Sequence, residues 1–591
     1  MSRNKHEKHA IEKFIKKSKL KIKVKEGWEN FSKNLQQPDA MVLDIDNLEA
    51  LQAVVKKIYG LNKSKDATKQ VTWRVASGGR KTEYSESFSF TPGTEADIIF
   101  RLTGDAFCKV DKTEQADVVE VGGSIQIGEL NELLYKNYDL VLPTASLIKY
   151  PTVAGLSGTA GHGTGKGQPS FAGLFTSMTF MIPNGEIVTL TEQDPEFITL
   201  RGAHMGLPGI LLEGKLKCIK AQKLSCFIDV CSLAEFLEQT EKGLFMNNPY
   251  TSVMYVPTYH LDELTNRNLK NVLIYTFKPV DINTPDNNHH PTCAYLTQKV
   301  GVSIQEQSRI TDLLSLKPEL IPLYMRYLIT RGAIGEEDKL VIGDWPSVWH
   351  YQTAYPHKIN DIDVLIPVSD NSQEIIDAFV TMAKVNNKYA EKGEYPVTYA
   401  AYARFFAGTN GGFSTSSTDN HVCAFDIVSS PNLAGYEDYR DEMFGYLVNQ
   451  MGGKPHWGKY APENLDYQKI YGESFTEFKN TLFNWYKKHG MDFTKSPLLN
   501  PFLCNILAMP EYAPDIKRSA TQTITPTIKP KSACKLAGLV LPLIDGDDED
   551  TLKLRKELHV IANAKSQGFF PGSSKSQENS SESEEDKCII S

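Results

Sequence analysis

The chain lacks the features that mark several large classes of protein. No apolar run reaches the about 18 residues that a membrane-spanning helix needs, and the N-terminus has no hydrophobic signal-peptide core. The nine cysteines contain no C-x-x-C pair, which argues against a disulfide scaffold or a zinc cluster and indicates a reducing compartment. A net charge of −8 gives no general attraction to nucleic acid. The 591 residues are enough to bury two or more cores, so we expect a soluble multidomain protein.

Glycine is concentrated in one short segment, which we call the glycine loop. Five of the eleven residues from Gly155 to Gly165 are glycine. Because glycine adopts positive φ without strain, the run predicts N–H groups turned toward one concavity, as suits a pyrophosphate. A nucleoside-triphosphate loop is excluded, since Ala160 replaces its first glycine and Gly167 its Ser or Thr. The dinucleotide motif G-x-G-x-x-G is absent too. The alternative is a flexible loop without a ligand.

The glycine loop belongs to a longer series of motifs. Residues 152–165 read T-V-A-G-L-S-G-T-A-G-H-G-T-G, close to I-x-G-x-x-x-T-x-x-H-G-T-G. Further motifs follow the same order, at 28–32, 74–79, 119–130, 142–144, 206–210 and 452–459. Together they resemble the FAD proteins of the vanillyl-alcohol oxidase (PCMH) type. The His-Trp-Gly-Lys run at 456–459 is similar to that of the sugar aldonolactone and alditol oxidases.

The resemblance implies an α+β fold. Its parts are a two-subdomain FAD-binding domain of the PCMH type and a substrate (cap) domain, an antiparallel sheet with helices. The expected segments are a basic N-terminal tail over 1–27, the FAD-binding domain over 28–223, the cap domain over 224–438, a return to the FAD domain over 439–510, a partly ordered extension over 511–565 and a disordered tail over 566–591.

The resemblance also assigns residues to the cofactor. Covalent members attach the flavin through the histidine of G-x-G-H, where this chain has Arg80, and arginine cannot form that bond. His162 stands where the family also carries a histidine beside the pyrophosphate, and it does not replace the missing attachment residue. We therefore expect noncovalent FAD. We expect no metal. The expected FAD contacts are Ser77, Gly78, Gly79, Arg80, Pro143, Gly155, Thr159, Gly161, His162, Gly163, Thr164, Gly209 and Ile210.

A flavin carries the redox chemistry, so the protein must place a substrate carbon against the ring and stabilise the charge of the reduced ring. Arg404 is the first candidate, because family members carry an E-x-R pair on a cap strand and Tyr402 and Arg404 occupy that place. Alternation puts both on one face. Lys459 and His456 come from the family's H-W-x-K run. The alternatives are a buried ion pair for Arg404 and a packing role for His456 and Trp457.

Tyr402 departs from the family, which has glutamate there. Tyrosine is a neutral donor at pH 7, and no acid lies between Tyr395 and Arg404. The leading hypothesis is an FAD-dependent oxidoreductase that takes a hydride from a carbinol carbon of a sugar lactone or polyol and passes electrons to oxygen or another acceptor. The alternatives are oxidation of a larger apolar alcohol such as a sterol, and a degenerate membrane-anchored flavoprotein that acts by interaction.

The first 25 residues carry nine lysines and one arginine against two glutamates, a local charge of +8. Ile11, Phe14 and Ile15 have helical spacing. The segment is either a membrane-surface or docking helix or a solvated basic tail.

Two features lie beyond residue 510. Asp550 or Thr551 can cap a helix whose Leu554, Leu558 and Ile561 share one face, so we expect part of the extension to dock on the body. The chain ends Cys-Ile-Ile-Ser from Cys588, which resembles a prenylation box. That resemblance implies a lipidated, membrane-associated cytoplasmic protein that is eukaryotic or, if bacterial, delivered into a eukaryotic cell.

Overall fold

The computed structural model describes residues 4–76, 78–79, 86–287, 304–331, 339–350, 359–516 and 530–563. Ser77, Arg80 and Cys588 therefore lie outside the described residues. None of the described helices is long and apolar enough to cross a membrane.

The strands are β1 (Ile22–Glu29), β2 (Gln36–Ile45), β3 (Trp73–Val75), β4 (Ile98–Leu102), β5 (Val110–Lys112), β6 (Val118–Gly122), β7 (Leu140–Val141), β8 (Phe175–Met181), β9 (Ile187–Thr191), β10 (Ile210–Lys217), β11 (Ile219–Lys220), β12 (Lys223–Cys231), β13 (Tyr250–Tyr255), β14 (Val272–Val280), β15 (Leu340–Asp344), β16 (Asn360–Val368), β17 (Ala400–Ala407), β18 (His421–Ser429) and β19 (Lys454–Pro455). The α-helices are Lys5–Lys17, Leu48–Asn62, Ile127–Tyr138, Val153–Gly158, Phe197–Gly202, Leu233–Glu241, Leu244–Asn247, Ile304–Leu316, Ile321–Arg331, Trp345–Trp349, Gln373–Ala390, Tyr436–Gly445, Tyr467–Tyr471, Glu473–Lys488, Pro501–Ile506, Pro530–Val540 and Glu549–Asn563.

The first domain contains two large sheets and the short two-stranded sheet of β7 and β11, which confirms the predicted α+β fold with two subdomains. One large sheet has the order β1-β2-β4-β3, with β2 and β3 both parallel to β4, and the other has the antiparallel order β5-β6-β10-β8-β9. The helix Leu48–Asn62 covers the first sheet because Leu51, Val54 and Ile58 recur at helical spacing and are buried in its core. The Asn47 side chain caps this helix by accepting the Ala50 N–H at 2.8 Å.

The N-terminal segment is not the tail predicted over residues 1–27. Helix Lys5–Lys17 buries Ile11 and Ile15 in the core of the first sheet, and β1 pairs with β2 over most of its length. The apolar positions had the spacing of a helix, and the helix docks on this chain's own body. The buried isoleucines are therefore covered, and most lysines of the helix are exposed at the surface.

The cap domain is built on an eight-stranded antiparallel sheet with the order β15-β12-β14-β13-β17-β18-β16-β19. Side chains alternate across it. On the outer face Ile362, Val364 and Phe425 pack against the helix Gln373–Ala390. The inner face turns toward the first domain, and it carries the charged residues described below.

The extension after residue 510 also docks, as predicted. Helices Pro530–Val540 and Glu549–Asn563 bury Leu554 and Leu558 in the same core as the helices Ile304–Leu316 and Ile321–Arg331. The helix cap lies two residues earlier than predicted, because Asp548 accepts the Thr551 N–H at 2.9 Å. Asp550 instead accepts a hydrogen bond from Arg326 Nε at 2.9 Å, which ties the extension to the cap domain.

Candidate active site

A cavity of about 400 Å³ lies between the first domain and the inner face of the cap sheet. Its wall in the first domain includes Gly78, the glycine loop and residues 204–206 and 209–211. Its opposite wall includes Tyr402, Arg404, Lys459 and His456, so the four predicted catalytic residues face one space together with the predicted cofactor loops.

The glycine loop uses the conformational freedom of glycine at only one of its five glycines. Of its five glycines only Gly165 has a positive φ, +139°, and the non-glycine Ala160 adopts φ +55°. Gly161 and Gly163 are needed for close packing, since a Cβ at Gly161 would lie 2.1 Å from Leu156 Cδ1 and one at Gly163 would lie 2.2 Å from the Ala145 carbonyl oxygen. The protein's own atoms therefore occupy the direction in which a side chain at Gly161 or Gly163 would point.

The predicted cofactor contacts therefore divide into two groups. Those that line the cavity are Gly78, Gly155, Thr159, Gly161, His162, Gly209 and Ile210. Those that are described but do not line it are Gly79, Pro143, Gly163 and Thr164. Thr164 has a different task, because its hydroxyl donates to the carbonyl oxygens of Thr251 and Phe405 and so joins the loop to two cap strands.

His162 points from the glycine loop toward the cap. Its ring stacks on Phe406 with centroids 4.9 Å apart, and its Nε2 lies 3.4 Å from Asp363 Oδ2. Its Nδ1 lies 3.1 Å from the Gly163 carbonyl oxygen, which can only accept, so Nδ1 carries the proton and Nε2 is an acceptor. Burial lowers the pKa of His162 to about 3, so the imidazole is neutral.

The inner face carries a row of residues in register across four strands. Met254 on β13 pairs with Tyr402 on β17, Tyr402 with Asp426 on β18, and Asp426 with Asp363 on β16. Arg404, two residues along β17 from Tyr402, places Nη2 at 3.2 Å from Asp426 Oδ2. The predicted shared face of residues 402 and 404 is confirmed, and the ion pair held as an alternative for Arg404 is present inside the cavity.

The carboxylates of this row have unusual acidity. Burial, and then the neighbouring Asp363, raises the pKa of Asp426 to about 7, against the lowering effect of Arg404. Burial raises the pKa of Asp363 as well. Such groups hold or release protons near neutral pH, which fits them for acid or base chemistry.

Lys459 adds a second cation to the cavity wall. Its ammonium contacts the carboxylate of Asp361 on β16. Burial lowers the pKa of Lys459 to about 7, whereas the Asp361 charge in direct contact favours the ammonium, so we take this buried pair to be ionised. Asp361, Asp363, Arg404, Asp426 and Lys459 form what we call the charged cluster.

His456 lies at the edge of the charged cluster, 5.6 Å from His162 between ring centroids. Its Nδ1 accepts the Gly458 N–H at 3.0 Å, so in the neutral ring Nε2 carries the proton. A metal ion needs a lone pair, so His162, Asp363 and His456 do not form a metal site although their ligand atoms lie within 4.8 Å of one another. Trp457 donates to the Phe413 carbonyl oxygen at 2.9 Å and packs against that ring, a structural role.

Asp361, Asp363 and Asp426 were missed by the sequence reasoning. Two signals could have found them. Asp361 and Asp363 alternate with apolar residues on a strand, and Asp426 interrupts an apolar strand of its own. Charged side chains are rarely buried in central strands unless they are paired or functional.

The cavity suits a flavin nucleotide in its distribution of charge. On its first-domain side the described lining is rich in hydroxyl and backbone groups, and Glu86 is its single carboxylate. A pyrophosphate is an anion and would avoid carboxylates, which lie in the charged cluster at the cap. Arg404 and Lys459 there can stabilise negative charge on a reduced ring. Arg74 stabilises the cavity wall by donating hydrogen bonds to the carbonyl oxygens of Leu498, at 3.1 Å, and Met205.

Part of the cavity wall is apolar. Helices Ile304–Leu316 and Ile321–Arg331 contribute Ile310, Leu314 and Leu328, and β13 contributes Met254. The helices are held near the sheet by a hydrogen bond of 2.9 Å between the hydroxyls of Thr311 and Tyr399. The cavity thus offers both charged and apolar surface to a substrate.

Comparison with known proteins agrees with this fold. Residues 65–191 match the family described as "FAD binding domain". The chain is 21% identical over 414 residues to a Neurospora crassa protein named as a D-arabinono-1,4-lactone oxidase, covering 63% of this chain and 70% of that one. It is 27% identical over 154 residues to the mitochondrial L-galactono-1,4-lactone dehydrogenase of Brassica oleracea, covering 26% of this chain and only 25% of that one.

Solved structures share the fold over most of the chain. The cholesterol oxidase of B. sterolicum superposes with a TM-score of 0.67 at 14% identity, covering 83% of this chain and 98% of that one. A xylooligosaccharide oxidase of Myceliophthora thermophila superposes with a TM-score of 0.51 at 14% identity, covering 86% and 100%.

These findings define the class of the protein. It is a flavoprotein with an FAD-binding domain over residues 65–191, and FAD is its cofactor. The chain is an FAD-dependent oxidoreductase that is similar to lactone oxidases and dehydrogenases in sequence and to cholesterol and oligosaccharide oxidases in fold.

Proposed function

We propose that the protein oxidises the carbinol carbon of a sugar lactone or a polyol. The observation that carries the proposal is the charged cluster, which faces the same cavity as the predicted FAD loops. Five charged side chains on one wall suit a substrate with several hydroxyl groups, because carboxylates accept and cations donate hydrogen bonds to them. Two relatives are named for aldonolactones.

The residues of the cluster have separate tasks in this proposal. When bound, FAD supplies the acceptor for the hydride. Tyr402 donates a hydrogen bond and orients the substrate, while Arg404 and Lys459 place positive charge where negative charge develops. Arg404 also holds Asp426 in its ionised form.

Flavin bleaching tests the proposal. The purified protein, saturated with FAD and made anaerobic, is mixed with aldonolactones and with alditols, and absorption of oxidised flavin is followed. We expect at least one of them to bleach the flavin. A panel that leaves the oxidised spectrum unchanged would contradict the proposed substrate class.

A larger apolar alcohol such as a sterol is the second candidate, and the apolar wall favours it. Leu314→Trp fills space beside that wall. If the substrate is apolar, this variant should lose bleaching by sterols and keep its bound FAD. If the substrate is a small lactone or polyol, the variant should be bleached by it at an unchanged rate.

We also propose that Cys588 is prenylated and gives weak membrane association. A single lipid binds membranes only marginally, and Ile11 and Ile15 cannot assist because they are buried. The lysines of the N-terminal helix would add electrostatic attraction. An N-terminal fluorescent fusion in eukaryotic cells should lose membrane signal on Cys588→Ser, and equal cytosolic signal in both forms would refute lipidation.

A further inference from the structure

Asp363 and Asp426 form a carboxyl pair, and the fold places the two acids opposite each other although their charges would repel. They are direct partners in the antiparallel register of β16 and β18, and they are 1% and 3% exposed. Two like charges opposite each other on one sheet face repel, and burial strengthens the repulsion. One of the two acids must therefore keep a proton near neutral pH, as in other close carboxyl pairs.

The neighbours of the pair indicate where that proton sits. The neutral His162 presents its Nε2 lone pair to Asp363 Oδ2 at 3.4 Å, and two acceptors would not face each other without a proton between them. Arg404 presents its guanidinium to Asp426 Oδ2 at 3.2 Å, which favours an ionised carboxylate. Asp363 is thus the protonated member and Asp426 the ionised one.

Each acid also has a second oxygen that no described residue satisfies. Asp363 Oδ1 and Asp426 Oδ1 are buried and have no hydrogen-bond partner among the described residues. Buried carboxylate oxygens are costly to leave without a donor. Both residues line the cavity, so a hydroxyl group of a bound molecule can supply the missing donor.

We propose that Asp363 and Asp426 carry one proton between them, held on Asp363, and that Asp426 Oδ1 takes the hydroxyl proton of the alcohol. The proposal rests on the proposed function. The alcohol O–H bond breaks and an O–H bond forms on Asp426, while the C–H bond breaks and its electron pair leaves as a hydride to FAD. The carbinol becomes a carbonyl. The pair thereby does the work of the acid that is missing at position 402.

The charged and titratable groups that face the pair come from every neighbouring element. They are Asp361 on β16, Tyr402 and Arg404 on β17, His162 in the glycine loop, and His456 and Lys459 after β19. The thiol of Cys423 on β18 is also near, and burial raises its pKa, so it stays neutral. His162 and His456 are neutral as well, so Arg404 is the cation that acts on the pair, while Lys459 is paired with Asp361.

Infrared spectroscopy tests the position of the proton without any substrate. Above pH 7 the FAD-loaded protein should still show the carbonyl stretch of one protonated carboxyl group, that of Asp363, because burial raises the pKa of Asp363. Asp363→Asn should remove this band, whereas Asp426→Asn should keep it. Asp361→Asn should keep it, since Asp361 is ionised against Lys459. A wild-type spectrum without the band would overturn the proposal.

Flavin reduction tests the proton transfer. Asp426→Asn should retain FAD and slow reduction by the best alcohol by about 10² to 10⁴, the usual contribution of a general base. Asp363→Asn should lose less, because Asp426 remains. Added formate should partly restore the rate of Asp426→Ala, which a merely structural role would not permit.

The experiments distinguish a wrong assignment of Asp426 from a wrong proposed function. Wild-type rates in Asp426→Asn, or no rescue of Asp426→Ala by formate, would overturn the assignment of Asp426 as the proton acceptor. If no alcohol reduces the wild-type flavin, the proposed function is wrong and the catalytic assignment is wrong with it. The infrared band still decides in that case whether Asp363 holds the proton.

Discussion

Tyr402 and Asp426 lie directly opposite each other on β17 and β18. An acid therefore stands one strand away from the position where the E-x-R pair of related oxidases has its glutamate. Arg404, the second member of that pair, reaches Asp426 on the neighbouring strand and also lies over the ring of Tyr402, 5.6 Å from its centroid. The site therefore has one cation beside one carboxylate, as the E-x-R pair does, but here the two residues come from different strands.

Arg404→Met should slow flavin reduction by about 10² to 10³, because a positioned charge that meets developing negative charge contributes on that order. FAD binding should be unchanged. Stopped-flow absorption measures the rate, and Arg267→Met, which removes an exposed arginine paired with Glu238, is the matched control. Equal rates in wild type and Arg404→Met would show that the cap strand is not at the reaction centre.

Lys459→Met should lower the free energy of unfolding by about 3 to 5 kcal/mol, because it leaves the Asp361 carboxylate buried without its partner. The double variant Lys459→Met/Asp361→Asn should recover much of that loss, yet its flavin should still be reduced slowly. Urea denaturation and stopped-flow measurements separate the two effects. Recovery of the rate together with the stability would mean that Lys459 has only a structural role.

The FAD should be bound without a covalent link, since Arg80 stands at the position of the family's flavin-linked histidine. Acid precipitation of the purified protein should leave a yellow supernatant and a colourless pellet. A fluorescent flavin band on a denaturing gel would contradict this expectation.

His204→Gln should flatten the pH dependence of stability. Burial lowers the pKa of His204 to about 3, and its Nδ1 accepts the Gly206 N–H at 2.9 Å, so the folded state holds it neutral. Its stabilising effect is complete above the unfolded pKa of about 6.5 and is lost as the pH falls toward 3. At pH 5 the loss is about 2 kcal/mol. Urea denaturation at pH 7 and 5 measures it, with the exposed His260→Gln as control.

Leu554→Ala should destabilise the cap domain by about 2 to 5 kcal/mol, because Leu554 is 1% exposed in the core beneath the C-terminal helices. Leu552→Ala on the same helix, at 52% exposure, should cost little. Thermal unfolding compares the two. Similar melting temperatures would mean that the extension does not stabilise the helices that form the apolar wall.

Local patterns in the sequence predicted part of the fold. The helical spacing of Ile11 and Ile15 predicted the helix Lys5–Lys17, and that of Leu554 and Leu558 predicted the helix Glu549–Asn563. These features depend on residues close together in the chain. The shared face of Tyr402 and Arg404 likewise follows from alternation along one strand.

The acids of the site could not be placed in the same way. Asp363, Tyr402 and Asp426 meet because β16, β18 and β17 are neighbours in a particular register, and register between distant strands is a property of the whole sheet. For the N-terminal helix, too, the sequence predicted the local structure but not the long-range packing. The spacing of Ile11 and Ile15 predicted a helix, but not the core on which it packs.

The most direct test of the account is the absorption spectrum of the purified, FAD-loaded protein during anaerobic addition of alcohols. We expect an oxidised flavin spectrum that is bleached by an aldonolactone or a polyol, and bleached at least about 10²-fold more slowly in Asp426→Asn, as loss of a general base requires. A protein that binds no FAD, or whose bound flavin no alcohol in the panel bleaches, would contradict the account.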